Sequence, residues 1–339
     1  MKPAARADRV ATAGEAAREL RTLRDCLRWA VSRFAVARIG LGHGTASLFD
    51  EAVALALWSL HLPPDELDRW LDARLARSER EALIALVDRR CSERVPAAYL
   101  TGEAWLRGVC FKSDARALVP RSLIAEALDT SLADYLDAFE RPADWPQRVL
   151  DLCTGGGSLA ALCALRFPEA RLSASDLSET ALTLASENLA LHGLSTRIQL
   201  SQGDLFAPHS GEQFDLIVCN PPYVCDASMA LLPQEFRAEP DFALAGGPDG
   251  MKLIARILSG ARNHLTPDGL LVIEIGHEAE HFEAAFAQLE FAYLPVESGE
   301  QMVVAIEARA LGLPAGAASP SGGKNPARAA RKPGRRPAA

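Results

Sequence analysis

Apolar positions recur at helical spacing through the first quarter of the chain, then break into short apolar blocks separated by helical stretches. Between residues 19 and 39, Leu20, Leu23, Leu27, Val31, Phe34 and Ala35 share one face of a period of about 3.6, which predicts a helix. Gly40 and Gly42 end it. Thr45 is placed to cap a second helix, which runs to about Leu60 and stops at Pro63-Pro64. Residues 64–76 and 79–94 predict two more, while the Ala-rich residues 1–17 read as frayed. Residues 103–112 read as a hairpin turning at Gly108, and Val119-Pro120-Arg121-Ser122 leads into a helix over 123–138. From 148 to 308 strands alternate with helices, at about 148–153, 171–175, 197–202, 214–219, 269–275, 291–296 and 301–307. That alternation predicts a mostly parallel seven-stranded sheet with helices on both faces, an α/β fold. The last strand follows its predecessor too closely for a crossover helix, so that pair should be antiparallel. The expected organisation is a helical domain (1–94), a hairpin linker (95–119), an α/β domain (120–310) and a disordered basic tail (311–339).

Composition narrows the class. Hydrophobic residues make up 49% of 339, enough for a real core in each domain. No apolar run approaches the roughly 18 residues of a membrane span, and the N-terminal residues lack a signal pattern, so a cytoplasmic chain is expected. The 7 cysteines include no C-x-x-C pair; Cys153, Cys163 and Cys219 lie in apolar stretches and read as small core residues, which predicts a reducing compartment and no metal site. Residues 321–339 carry Lys324, Arg328, Arg331, Lys332, Arg335 and Arg336 and no acid. Of the 36 basic residues 30 remain against 44 acidic ones, so the body carries −14. An acidic body argues against duplex DNA as a partner and suits a basic one. The same charge also serves solubility.

Candidate chemistry lies at successive strand ends. Asn220-Pro221-Pro222-Tyr223 follows the apolar strand at 214–219. Each Pro removes an N–H and fixes φ, so this corner presents acceptors and few donors. That suits a planar –NH2 group held by both hydrogens, although an ordinary turn has the same composition. Upstream, Asp151 and Cys153 end a buried-looking strand that runs through Thr154-Gly155-Gly156-Gly157 into a helix, a cradle of the nucleotide-binding kind. Asp176 ends the next strand, where an acid binds ribose hydroxyls. It could equally cap the helix that begins near Ser178.

The order of these motifs resembles the class I S-adenosylmethionine-dependent methyltransferases, with their Rossmann-like fold. Within them it resembles the protein-glutamine methyltransferases, which modify the Gln of Gly-Gly-Gln sequences; the likeness covers about residues 20–308. Gly42-His43-Gly44-Thr45, Arg94-Val95-Pro96-Ala97-Ala98-Tyr99-Leu100-Thr101, Leu118-Val119-Pro120-Arg121-Ser122 and residues 232–240 carry the finer match. They point to the branch acting on the ribosomal protein uL3. The branch acting on peptide release factors shares Asn-Pro-Pro-Tyr and is the alternative. An adenine-amine methyltransferase of DNA or RNA, or a binding module without the chemistry, is a more distant one. Gly156-Gly157-Ser158 departs from the family, which has Ser and then Gly-Cys after Gly155.

The resemblance implies S-adenosylmethionine as cofactor, with S-adenosylhomocysteine as product. Asp151, Cys153, Thr154, Gly155, Gly156, Gly157, Asp176, Asp204, Leu205 and Asn220 are then expected around it. Asn220 and Pro221 are expected to accept from the substrate amide, beside Pro222, with Tyr223 packed on the amide plane. Glu274 and His277 fall near the same rim. His43 reads as a structural histidine. The acidic stretch 235–241 is a candidate receiver for a basic protein.

Overall fold

A computed structural model describes residues 10–312 except 64, 140 and 143. It opens on helix α1 (Ala13–Glu19), where Thr12 and Glu15 satisfy each other's backbone N–H groups in a capping box. Ala16 is buried, and Trp29 Nε1 donates to the Ala11 carbonyl at 2.8 Å. The helix is therefore tied down where the composition suggested fraying. The expected helix over 19–39 is interrupted at Thr22, whose own capping box with Asp25 restarts it as α2 (Leu23–Ala37). Arg38, in the left-handed region at φ 50°, ends α2 before either glycine is reached. Ser47, rather than Thr45, caps α3 (Leu48–Ser59), because the Thr45 hydroxyl donates to Glu51.

The helix expected over 64–76 shrinks to one turn, α4 (Leu67–Trp70). The Leu71 and Ala73 carbonyls accept from Arg24 and Leu23, and Leu75 donates to the Arg21 carbonyl, so that backbone is engaged elsewhere. Helix α5 (Arg77–Glu93) completes the unit, whose core holds Leu23, Leu27, Trp29, Phe34, Leu55, Leu83 and Val87. A short helix α6 (Ala97–Thr101) then leads to the hairpin of β1 (Glu103–Leu106) and β2 (Val109–Lys112). The helix expected over 123–138 breaks at Thr130 into α7 (Ile124–Ala127) and α8 (Ser131–Ala138).

Next come β3 (Arg148–Leu152), α9 (Ser158–Arg166), β4 (Arg171–Asp176), α10 (Glu179–Leu191), β5 (Ile198–Gln202) and β6 (Phe214–Cys219). A side ladder pairs β7 (Val224–Cys225) with β8 (Ala245–Gly247), and the one-turn α11 (Asp226–Met229) follows β7. The chain then runs through α12 (Met251–His264), β9 (Leu265–Glu274), α13 (Ala279–Ala285), β10 (Ala292–Tyr293) and β11 (Val303–Glu307). The main sheet has the order β10-β11-β9-β6-β3-β4-β5. Its pairs are parallel from β9 to β5, and β11 inserts antiparallel between β9 and β10. The expected antiparallel strand is thus found, with neighbours on both sides. Apolar layers cover both faces, one holding Leu159 and Val218, the other Ile254 and Ile273. Strand order reverses at β3, so the strand ends on either side of it open a crevice. Among the described residues no helix is long and apolar enough to cross a membrane. The part of the expected tail from 313 onward lies outside the described residues, while Leu311 packs on the core.

A buried ionic network joins the N-terminal helices to the segment beyond β6. Glu235 accepts from Arg90 Nη1 at 3.1 Å, Arg94 Nε at 2.7 Å and the Gly40 N–H at 2.8 Å. Arg90 also reaches Glu51 at 2.6 Å. The Arg90, Glu51 and Glu235 side chains are at most 3% exposed. Gly40 is required by close approach, since a Cβ there would lie 2.5 Å from Pro233 and 2.7 Å from Glu235 Oε2. Removing one partner from such a group strands a buried charge. Glu235→Ala is therefore expected to cost about 3–5 kcal/mol in urea unfolding. A loss under about 1 kcal/mol, the range of surface pairs, would contradict this account.

Candidate active site

The glycine turn after β3 is shaped by backbone strain and close packing. Cys153 sits at φ 61° and Gly155 at φ 55°, both in the left-handed region that a non-glycine residue enters at a cost. Gly156 lies against α10: its carbonyl accepts from Asn188 Nδ2 at 2.9 Å, and an added Cβ would meet Leu184 at 3.3 Å. Gly157 (φ 78°) caps α9 and is crowded by Ala185, 3.0 Å from where its Cβ would be.

Two carboxylates organise this turn. Asp151 is 1% exposed and accepts from the Thr154 hydroxyl at 2.5 Å. Burial pushes its carboxyl up to about 7, against the opposing pull of that hydrogen bond. Asp176 accepts from the Gly155 N–H through one oxygen and from the Ser178 N–H through the other, both at 2.9 Å. It is thus strand-end acid and helix tether at once, while Ser178 itself caps α10. Burial raises the Asp176 carboxyl above the ordinary range.

Asp151, Cys153, Thr154, Gly155, Gly156, Asp176, Asp204, Leu205, Asn220 and Pro222 line one cavity. Gly157, Pro221 and Tyr223, also anticipated at the site, are not among its lining residues. Gly157 is turned to α10, as above. Tyr223 is withdrawn because its hydroxyl donates to Glu274 at 2.9 Å. Its ring lies so close to Gly276 that a Cβ there would sit 2.4 Å from it. Tyr223, half-buried, is thus anchored through its hydroxyl next to the corner. Leu205 is a second left-handed non-glycine residue at a strand end (φ 51°), and Asp204 pairs with Arg256 at 2.7 Å. His277 is exposed and outside the lining.

Several residues here carry more than their spacing suggested. Glu274 is buried and also accepts from the Ser122 hydroxyl and the Leu123 N–H, each at 2.8 Å. A glutamate ending an otherwise apolar strand was the signal available for it. Arg121 lines the cavity and grips Glu239 with both terminal nitrogens, at 2.5 and 2.8 Å. Glu239 also accepts from the Val119 N–H, and His43 Nε2 lies 3.3 Å from it. The buried His43 ring rests on Phe236 at 4.2 Å between centroids. Of the three acids in the stretch 235–241, Asp241 alone is exposed. Glu235 and Glu239 are buried and paired, and Phe242 and Leu231 are the large apolar side chains that reach solvent beside them, at 57% and 85% exposure.

An open sheet reversing at β3, a glycine turn, a strand-end acid and an Asn-Pro-Pro corner on one cavity define a class I methyltransferase using S-adenosylmethionine. Residues 125–236 match the family model described as methyltransferase small domain. A ribosomal protein uL3 glutamine methyltransferase of Bordetella pertussis is 54% identical over 287 residues, covering 84% of this chain and 95% of that protein. One from Burkholderia pseudomallei is 49% identical over 303 residues, covering 87% and 97%. One from Bradyrhizobium diazoefficiens is 44% identical over 299 residues, covering 86% and 92%. The chain belongs to the ribosomal protein uL3 glutamine methyltransferase family.

Glu239 gives the site a signature in acid. Burial alone would raise its carboxyl, but His43 and Arg121 outweigh that and hold it at about 2. A depressed carboxyl stabilises the fold above its unfolded value, here 4.5, and that stabilisation is lost as pH falls through about 2. The contribution is on the order of 3 kcal/mol. Wild type should therefore lose stability toward Glu239→Gln as denaturant unfolding is repeated from pH 6 down to pH 2. Parallel curves for the two proteins would rule the linkage out.

Proposed function

We propose that this enzyme transfers a methyl group to the side-chain amide nitrogen of a glutamine, in a Gly-Gly-Gln-type motif of the large-subunit ribosomal protein uL3. The observation that carries this is the Asn220-Pro221-Pro222 corner, which ends β6 beside the glycine turn and Asp176. An amide nitrogen is a weak nucleophile because its lone pair is delocalised into the carbonyl. Its two hydrogens can be taken by the Asn220 side-chain oxygen, on the cavity, and by the backbone carbonyl of the buried Pro221 next to it. Those bonds strengthen as positive charge develops on nitrogen, so they act on the transition state. The prolines add no competing N–H donor. Glu274, through Tyr223, keeps the corner in place, and the proton leaves to water once nitrogen has gained its carbon.

The residues around the cavity suit the cofactor. Each Asp176 oxygen spends one lone pair on a backbone N–H and keeps another for a ribose hydroxyl. The turn from Cys153 to Gly156, together with Asp151, would hold the amino-acid portion. Leu177, Leu205 and Phe242 offer apolar surface for a flat base. When bound, S-adenosylmethionine supplies an electrophilic methyl on a sulfonium and departs as S-adenosylhomocysteine.

The names of the relatives support uL3 as the substrate. So does the fate of the segments that separate the two glutamine branches: Gly42-His43 and residues 232–240 meet in one buried cluster beside the cavity. We assign substrate recognition to the N-terminal helices together with the exposed apolar Leu231. The −14 body disfavours duplex DNA and suits a basic ribosomal protein met in the cytoplasm.

Two measurements test this reading. Intact-mass analysis of ribosomal proteins should find uL3 one methyl group heavier with the enzyme than without it. An unchanged uL3 beside a newly methylated release factor would overturn the substrate. Asn220→Ala should keep S-adenosylmethionine affinity but lose about 2–4 kcal/mol of transition-state stabilisation, read in kcat/KM, as for one preorganised polar group. Unchanged turnover would remove Asn220 from its role.

A further inference from the structure

We propose that Cys225, Glu278 and His281 form a binding site for a borderline-soft divalent cation of the Zn2+ class. One sulfur, one carboxylate oxygen and one imidazole nitrogen from these residues all lie within 4.8 Å of one another. Cys225 and Glu278 are 5% and 8% exposed, while His281 is half exposed at 49% of its side chain and can adjust. Glu278 is held by the Cys225 N–H at 3.3 Å and by His281 Nδ1 at 2.6 Å. Its ion-pair partner is His281 itself, and among the described residues no lysine or arginine pairs with it. A carboxylate buried to this degree is ordinarily paired with a cation or ligates one.

The donor set is specific in kind. Thiolate and imidazole select Zn2+-like ions over Mg2+ or Ca2+, which demand oxygen. Three protein ligands leave a fourth tetrahedral position open. Glu278 and His281 are three residues apart at the start of α13, a spacing that brings two side chains to one side. The third ligand comes from β7, 53 positions earlier, which is why no short Cys or His motif announces the site. The Cys225 thiol now donates to Ser228 Oγ at 3.3 Å; on metal binding its proton passes to solvent and sulfur becomes the ligand. The site begins two residues beyond Tyr223, and α13 follows Gly276, against which the Tyr223 ring rests. A bound cation would therefore clasp the two chain segments that hold the Asn220 corner.

The test uses the full chain without a histidine tag, with Co2+ as spectroscopic probe and Zn2+ as competitor. One Co2+ per chain is expected, with a thiolate-to-metal charge-transfer absorption that Zn2+ abolishes. Cys225→Ser should lose that absorption. His281→Ala changes a side chain at the surface, so the fold should persist, and it should weaken Co2+ binding at least about tenfold. Absence of the absorption in wild type would overturn the site. So would its persistence in Cys225→Ser, which would assign the ion to one of the other six cysteines, or undiminished affinity in His281→Ala. None of these readouts depends on the methyl acceptor, so they stand or fall apart from the proposed activity.

Discussion

Two glutamates without solvent exposure, Glu235 and Glu239, set the relation between the halves of this molecule. Each burial costs several kcal/mol of hydration, recovered only when donors surround the carboxylate. Here the donors come from distant segments: Arg90, Arg94 and the Gly40 N–H around Glu235, and Arg121 and the Val119 N–H around Glu239. An apolar contact would tolerate sliding. A charge that is satisfied in one arrangement alone does not, so the chain between β7 and β8 is fixed in register against α2, α3 and α5.

That constraint reaches the chemistry through short steps. Arg121 is followed by Ser122, whose hydroxyl meets Glu274 at the end of β9, and Glu274 meets Tyr223. Tyr223 directly follows Asn220-Pro221-Pro222. Two strand ends, those of β6 and β9, and the loops that carry Arg121 and Glu239 are thus referenced to one another by hydrogen bonds to buried carboxylates. The cavity itself is shaped by two left-handed non-glycine residues, Cys153 and Leu205, a form of strain that concentrates at functional sites.

The sheet was legible because short, mostly apolar segments alternate with helical stretches, as at Phe214–Cys219, where Asp215 is the one charged residue. The corner, the glycine turn and Asp176 were legible because their positions at strand ends limit what they can do. Other features depended on contacts that no local pattern contains. Residues 64–76 have helical spacing, but the Leu71 and Ala73 carbonyls are engaged by α2. Glu235 and Glu239 look like solvated acids until their arginines are placed. The anchoring of the Tyr223 hydroxyl by Glu274, 51 positions away, has no local signal either. Cys225 carries no local signal, and its neighbours Glu278 and His281 come from more than fifty positions away.

Paired buried charge, rather than apolar packing alone, holds the segment beyond the Asn220 corner against the N-terminal helices. Amide hydrogen exchange in wild type and Glu235→Ala measures this segment by segment. Exchange should accelerate across residues 224–244 and around Gly40 to Gly44, while β3, β4 and β6 keep their protection. Unaltered exchange over 224–244, or an equal loss throughout the sheet, would contradict it.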